Sequence, residues 1–133
     1  MYLLDTDTII YILKGHVKVL ENLRQNFHEP MSLSVISLTE LYYGAFKSQR
    51  VASNLAKIRT LESKLEIIPV GKESAEIFGM LKASLEKQGT PLDDFDLTLA
   101  SCALAYNLVL VTNNVKHFQR IDGLKLVNWA ESP

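Results

Sequence analysis

Asp5, Glu40 and Asp96, with Asp93 and Asp94 just ahead of the last, are the side chains of this chain best suited to act together on a substrate. Each of the three stands where an apolar run has just ended or a helix is about to begin. In an open α/β sheet such positions gather at the carboxyl edge of the strands, where ligands bind. Carboxylates gathered there repel: at about 4 Å and an effective dielectric of about 20, one like-charged pair costs roughly 4 kcal/mol. A cation among them removes that cost, and oxygen donors suit Mg²⁺ or Mn²⁺ best. The chemistry this points to is a divalent-metal site built from Asp5, Glu40 and Asp96. Its competitor at each position is helix capping. Asp5 or Thr6 can cap the helix that follows, and Ser37-Leu38-Thr39-Glu40 fits a capping box. An acid at Asp93, Asp94 or Asp96 complements the next helix's dipole. Capping accounts for one acid per helix start and leaves Asp7 and the surplus of Asp93-Asp94-Phe95-Asp96 unexplained.

The elements that must position these acids follow from periodicity. Tyr2-Leu3-Leu4 reads as a buried strand, and Asp5-Thr6-Asp7-Thr8 opens a helix through about Lys14, broken at Gly15. Leu20, Leu23 and Phe27 share one face of a second helix. Ser32 to Ile36 alternates like a strand, and Ser37 is expected to start a helix running toward Ser48. Leu55, Ile58, Leu61 and Leu65 mark the inward face of another helix. A third strand lies within Leu65–Val70, followed by a helix over Glu73–Lys87 with Ile77, Met80, Leu81 and Leu85 inward. Gln88-Gly89-Thr90-Pro91 is a loop. Asp96 to about Tyr106 is helical, Leu108–Val111 is a fourth strand, and Leu126-Val127 a fifth. Strands alternating with helices imply parallel pairing and right-handed crossovers, hence a three-layer α/β/α domain over residues 1–133.

Composition narrows the functional classes. A chain of 133 residues buries a core without staples. Its formal net charge of −1 gives no overall pull toward nucleic acid or membrane, although a local basic strip with bound metal can still hold RNA. The single cysteine, Cys102, lies in the apolar run Leu99–Leu104 and reads as core. Neither a signal peptide at Met1–Asp5 nor a membrane span is expected, and a cytoplasmic location follows. Thr112-Asn113-Asn114 leaves the fourth strand as a turn that can also hold water or phosphate. His16, His28 and His117 show no partner pattern, and no role is assigned to them. Leu38, Leu41, Tyr42 and Phe46 are apolar enough to line a groove for a peptide segment.

Taken in order, the motifs are Asp5-Thr6-Asp7 after a strand, Ser37-x-x-Glu40 after a strand, a Gly89-x-Pro91 loop before Asp96-Leu-x-Leu-Ala100, and Val111-Thr112-Asn113-Asn114 with Phe118. This ordered set, together with the ending Gly123–Trp129, resembles a PIN domain and, more narrowly, the VapC toxins of bacterial toxin–antitoxin pairs. The resemblance spans essentially the whole chain. It implies a mostly parallel five-stranded sheet and a Mg²⁺- or Mn²⁺-dependent endoribonuclease acting on a structured RNA such as tRNA. It also implies a VapB-type antitoxin lying over the active-site groove, and a homodimer. On this resemblance Asp5, Glu40 and Asp96 are the metal-binding and catalytic acids. The fourth position, often an acid, is Asn114, which removes one negative charge and points to a single well-held ion. Asp93 and Asp94 are near enough in sequence to compensate.

Two rivals remain at this point. Leu4-Asp5-Thr6-Asp7-Thr8-Ile9 comes close to the haloacid-dehalogenase-like phosphatase motif, in which Asp5 would be a nucleophile and Asp7 an acid/base. That match breaks at Ile9. The other rival is a catalytically inactive PIN-like module that binds RNA or protein, with Asn114 as the sign of decay.

Overall fold

The computed structural model describes residues 1–131. In chain order they form β1 (Tyr2–Leu4), α1 (Thr6–Leu13), α2 (Val17–Gln25), β2 (Met31–Ser34), α3 (Val35–Lys47), α4 (Val51–Glu62), β3 (Glu66–Ile68), α5 (Lys72–Lys87), α6 (Asp94–Ala105), β4 (Val109–Val111), α7 (Val115–Phe118) and β5 (Leu126–Val127). The strands form one sheet in the order β3-β2-β1-β4-β5, and every pairing is parallel. The expected three-layer α/β/α architecture is therefore present.

Alternation along the strands divides the core in two. Leu3, Ile68 and Leu110 face α5, α6 and α7, joining Leu85, Leu97, Leu99 and Phe118. Leu4, Leu33 and Val111 face α1 to α4, joining Ile9, Val19, Leu41, Ala45 and Ile58. A side chain that flips face with every residue gives each short strand a stake in both layers. The helix α6 is buried nearly all round, through Leu97, Leu99, Ala100, Ser101, Cys102 and Ala103. Its apolar body explains why Cys102 is a core residue, with no exposure at all.

From β1 the chain winds outward to β2 and β3 with α1 to α4 on one face. It then returns through α5 and α6 on the other face to place β4 on the far side of β1. The strand order thus reverses between β1 and β4, the kind of point at which open α/β sheets bind ligands. Asp5 follows β1 and Thr112 follows β4, so both lie at that crevice.

Several boundaries differ from the sequence expectation, each for a local reason. The second strand ends at Ser34, whose hydroxyl accepts a hydrogen bond from Ile36 N at 3.3 Å and caps α3. Ser37 is instead buried in the helix with its Oγ unpartnered, so the capping-box reading fails and Glu40 stands in the second turn. Asp93, not Asp96, is the cap of α6. Phe27 lies beyond the end of α2 and is 74% exposed, and Met80 is 61% exposed on the outer face of α5. The inward stripe of α5 runs instead through Ser74, Phe78, Leu81 and Leu85. Gly15 breaks α1 as expected, with φ of +77°.

Candidate active site

Asp5 caps a helix and still faces the pocket at the end of the sheet. Its backbone N–H donates to Val111 O at 3.0 Å, which extends the β1–β4 pairing by one step and fixes where the chain turns. Its extended backbone then leads into α1, and Oδ1 accepts from Thr8 N at 2.7 Å. Thr8 Oγ1 in turn donates to Val111 O at 3.1 Å, tying the first turn of the helix to β4. The cap uses one oxygen, and an ionised carboxylate offers about four acceptor sites. Asp5 is 5% exposed. Burial pushes its carboxyl above the ordinary range and the nearby Asp7 charge adds to this, while hydrogen bonds from Thr112 and Thr8 act in the opposite direction.

The run Asp93 to Asp96 divides its labour. Asp93 Oδ1 accepts from Asp96 N at 2.8 Å, the capping bond of α6, and this sets Asp96 on the first turn. Asp94 faces away and meets Lys82 Nζ at 2.9 Å. Asp96 has His117 Nδ1 3.6 Å from its Oδ2. Partial burial raises the Asp96 carboxyl, Asp93's charge raises it further, and His117 opposes both. His117 was missed by sequence reasoning. The signal that could have found it is its spacing of three from Asn114 on a helical turn, where the two side chains meet at 3.3 Å.

Glu40 arrives from the other side. Thr6 Oγ1 donates to Glu40 Oε1 at 2.6 Å, linking the first turn of α1 to α3. The result is a pocket of about 160 Å³ lined by Asp5, Thr6, Asp7, Glu40, Asp93, Phe95, Asp96 and Leu99. Five of these eight are acids and none is basic. The N-termini of α1 and α6 supply partial positive charge here, which offsets the repulsion in part. Burial is the larger cause of the raised Asp5 and Asp96 carboxyls, and the charges of Asp7 and Asp93 add to it.

The donors are all hard oxygens, as Mg²⁺ and Mn²⁺ require. Among the described residues no three acids or histidines are grouped so as to hold an ion by themselves. Thr6 holds Glu40 to one side. That arrangement fits Mg²⁺ chemistry, in which one or two carboxylates bind the ion and water or substrate phosphate completes the shell. Of the residues flagged in the sequence, Asp5, Glu40 and Asp96 meet in this pocket and Asp93 joins them. Asn114 lines the neighbouring cavity with Asp7, Ile10, Tyr11 and Asn113.

A longer groove of about 450 Å³ adjoins the pocket between α1, α3 and α4. Ile10, Leu13, Leu41, Gly44, Ala45 and Ile58 line it, Lys14 and Lys57 stand beside them, and Glu40 belongs to both groove and pocket. Of the residues expected to form such a groove, only Leu41 does. Tyr42 turns away to donate to Glu62 at 2.7 Å, and Phe46 is 63% exposed elsewhere on α3.

Comparison with known proteins bears on all of this. Residues 2–124 match the PIN domain family. The chain is 38% identical over 130 residues to ribonuclease VapC2 of Haemophilus influenzae, covering 97% of this chain and 98% of that one. It is 36% identical over 132 residues to the tRNA(fMet)-specific endonuclease VapC of Salmonella typhimurium, with 97% and 98% covered. Among solved structures, VapBC2 from Rickettsia felis, bound to a DNA fragment from its promoter, aligns with a TM-score of 0.90 at 37% identity. That alignment covers 96% of this chain and 98% of the other. These relatives are named as ribonucleases, which the main reading expects and the phosphatase reading does not. The chain belongs to the PIN-domain family and, within it, to the VapC ribonucleases.

Proposed function

We propose that this ribonuclease hydrolyses RNA phosphodiester bonds in the five-acid pocket with the aid of Mg²⁺ or Mn²⁺, as the toxin partner of an antitoxin. The observation that carries the reading is the pocket itself: five acids, no base, and two carboxyls raised by burial. Asp5 and Asp96 would hold the ion, each anchored by its helix start. Thr6 fixes Glu40 where it can accept from a water and turn it toward the scissile phosphate. A bound divalent cation supplies an acidified water and neutralises charge that builds on the phosphate. Attack by water, and not by the ribose 2′-hydroxyl, leaves a 5′-phosphate and a 3′-hydroxyl. The capping bonds of Asp5 and Asp93 cost nothing in this chemistry, because they pre-orient the carboxylates before the substrate arrives.

A structured RNA such as tRNA is the proposed substrate, supported by relatives named for tRNA(fMet). A VapB-type antitoxin is the proposed partner, since several structural neighbours are VapBC complexes. The apolar groove beside Glu40 suits an apolar segment of that antitoxin. No helix among the described residues is long and apolar enough to cross a membrane. The test is an RNA-cleavage assay with end analysis: cleavage with Mg²⁺ or Mn²⁺ that stops on chelation, leaving 5′-phosphates, is expected. Cleavage that continues undiminished in excess EDTA overturns the metal reading.

A further inference from the structure

Beyond the five-acid pocket, and sharing Asp7 with it, lies the cavity of about 370 Å³ formed by Asp7, Ile10, Tyr11, Asn113 and Asn114. Its size falls within the range of small-molecule sites. Three of its five lining residues are polar and none is cationic, which disfavours both a phosphate and a purely apolar ligand. An uncharged, planar, hydrogen-bonding group remains. We propose that this cavity receives one unpaired guanine of the RNA, next to the bond that is cut. The proposal rests on the nuclease reading only in taking the base to belong to the substrate.

Each wall has a part. Tyr11 is held by stacking on His16, with ring centroids 4.7 Å apart and 21° between planes. His16 is itself fixed, since its Nδ1 accepts from Val19 N as the cap of α2. The pair is a rigid aromatic platform of the kind on which bases of single-stranded RNA stack. Asp7 enters no hydrogen bond or ion pair through its carboxylate among the described residues, so both oxygens are free to accept. Asn113 has its Oδ1 shut away from solvent without a partner. Its Nδ2 likewise bonds to no described residue but is not shut away, which leaves two N–H donors to present. The turn that carries it is pinned by Asn114 N donating to Thr112 Oγ1 at 3.0 Å.

A donor beside two acceptors is the complement of one base edge. Guanine presents O6 as an acceptor next to the N1–H and N2–H donors. Its two donors match the parallel oxygens of Asp7, and O6 matches Asn113 Nδ2. Adenine and cytosine turn a ring acceptor toward the carboxylate, and uracil offers one donor between two acceptors. A carboxylate left facing an acceptor is repelled, so rejection of the other bases is the stronger half of the discrimination.

The test uses neutral nucleosides in chelator with the full chain, read by amide NMR, so that neither metal nor phosphate takes part. Guanosine should shift the Asn113 and Asn114 signals and those around Tyr11. Inosine, lacking the N2 amine, should bind more weakly, and adenosine, cytidine and uridine more weakly still. Tyr11→Ala should weaken guanosine binding roughly tenfold, the loss of one stacked face. Asn113→Ala, at a turn position, gives a second variant should Tyr11→Ala fail to fold. Equal shifts from all nucleosides overturn the proposal, as do shifts produced by free arginine and by no nucleoside, which would mark a protein side-chain site. If guanosine binds here but no RNA is cut with Mg²⁺ or Mn²⁺, the nuclease reading fails and the base site stands. If RNA is cut with the same base profile by wild type and Asn113→Ala, and guanosine shifts nothing here, the base site fails and the nuclease reading stands.

Discussion

The five-acid pocket and the groove beside it share Glu40 and differ in almost everything else. The pocket is small, polar and uniformly acidic, built from helix starts at the end of the sheet. The groove is nearly three times as large by volume, apolar along its floor and flanked by Lys14 and Lys57. One region concentrates acids where burial raises two of their carboxyls, and the other leaves apolar surface open to water. Neither is what a fold optimised for its own stability would choose. Each makes sense as a place for something else: a cation and an RNA phosphate in the first, an apolar segment of a partner in the second. Glu40, common to both, gives a partner in the groove direct access to the pocket acids.

The largest effect should come from neutralising the pocket. Asp5→Asn or Asp96→Asn is expected to lower RNA cleavage by about a hundredfold or more, since each removes a charge proposed to bind the ion while keeping a side chain able to cap or pack. Cleavage rates at saturating Mn²⁺ check this, and near-normal rates would remove that residue from the site. In the groove, Gly44→Leu is the sharper instrument. A Cβ built there meets nothing within 4 Å, so the added side chain projects into open groove. Affinity for the antitoxin should fall at least about tenfold, read by titration, with RNA cleavage retained. Loss of cleavage together with binding would mean that the two regions are not separable.

A subtler consequence concerns pH. The carboxyls of Asp5 and Asp96 are both raised in the folded chain from the ordinary value of 3.8. A raised folded value means that each group contributes stability below 3.8 and loses it as pH rises through the folded value. Metal-free wild type should therefore lose stability relative to Asp5→Asn across that interval, as followed by denaturant melts in chelator. A gap that does not grow with pH would show that burial does not strain Asp5. The smallest effect is reserved for Asp94, an acid of the same run that lies outside the pocket and pairs with Lys82 at the surface. Asp94→Asn should change stability by less than about 0.5 kcal/mol and cleavage by less than about twofold.

How much of this could be read in the sequence follows from which interactions are local. The apolar runs Tyr2–Leu4 and Leu108–Val111, the stripe of α4 and the apolar body of α6 are local patterns, and they gave the sheet and its layers. The pocket acids were visible because each follows a strand or starts a helix. What Ser34 and Ser37 do was not, since both offer a hydroxyl near the same helix start. Only the point where β2 stops pairing decides which one caps. The Thr6–Glu40 bond spans 34 residues, and the His117–Asp96 contact joins helices on either side of β4, so neither leaves a trace in spacing. The same holds for Asn114, whose place beside Tyr11 and Asp7 depends on β1 and β4 being neighbours.

The central claim is that the pocket acids destabilise the chain until a cation sits among them. Thermal unfolding of wild type and Asp5→Asn, each with chelator and with saturating Mn²⁺, tests it without any RNA. Ion binding to the folded state alone stabilises it, by about 2.7 kcal/mol at a hundred times the dissociation constant. The order of stability should therefore invert: Asp5→Asn the more stable in chelator, wild type the more stable in Mn²⁺. A difference between the two proteins that Mn²⁺ leaves unchanged would contradict the account.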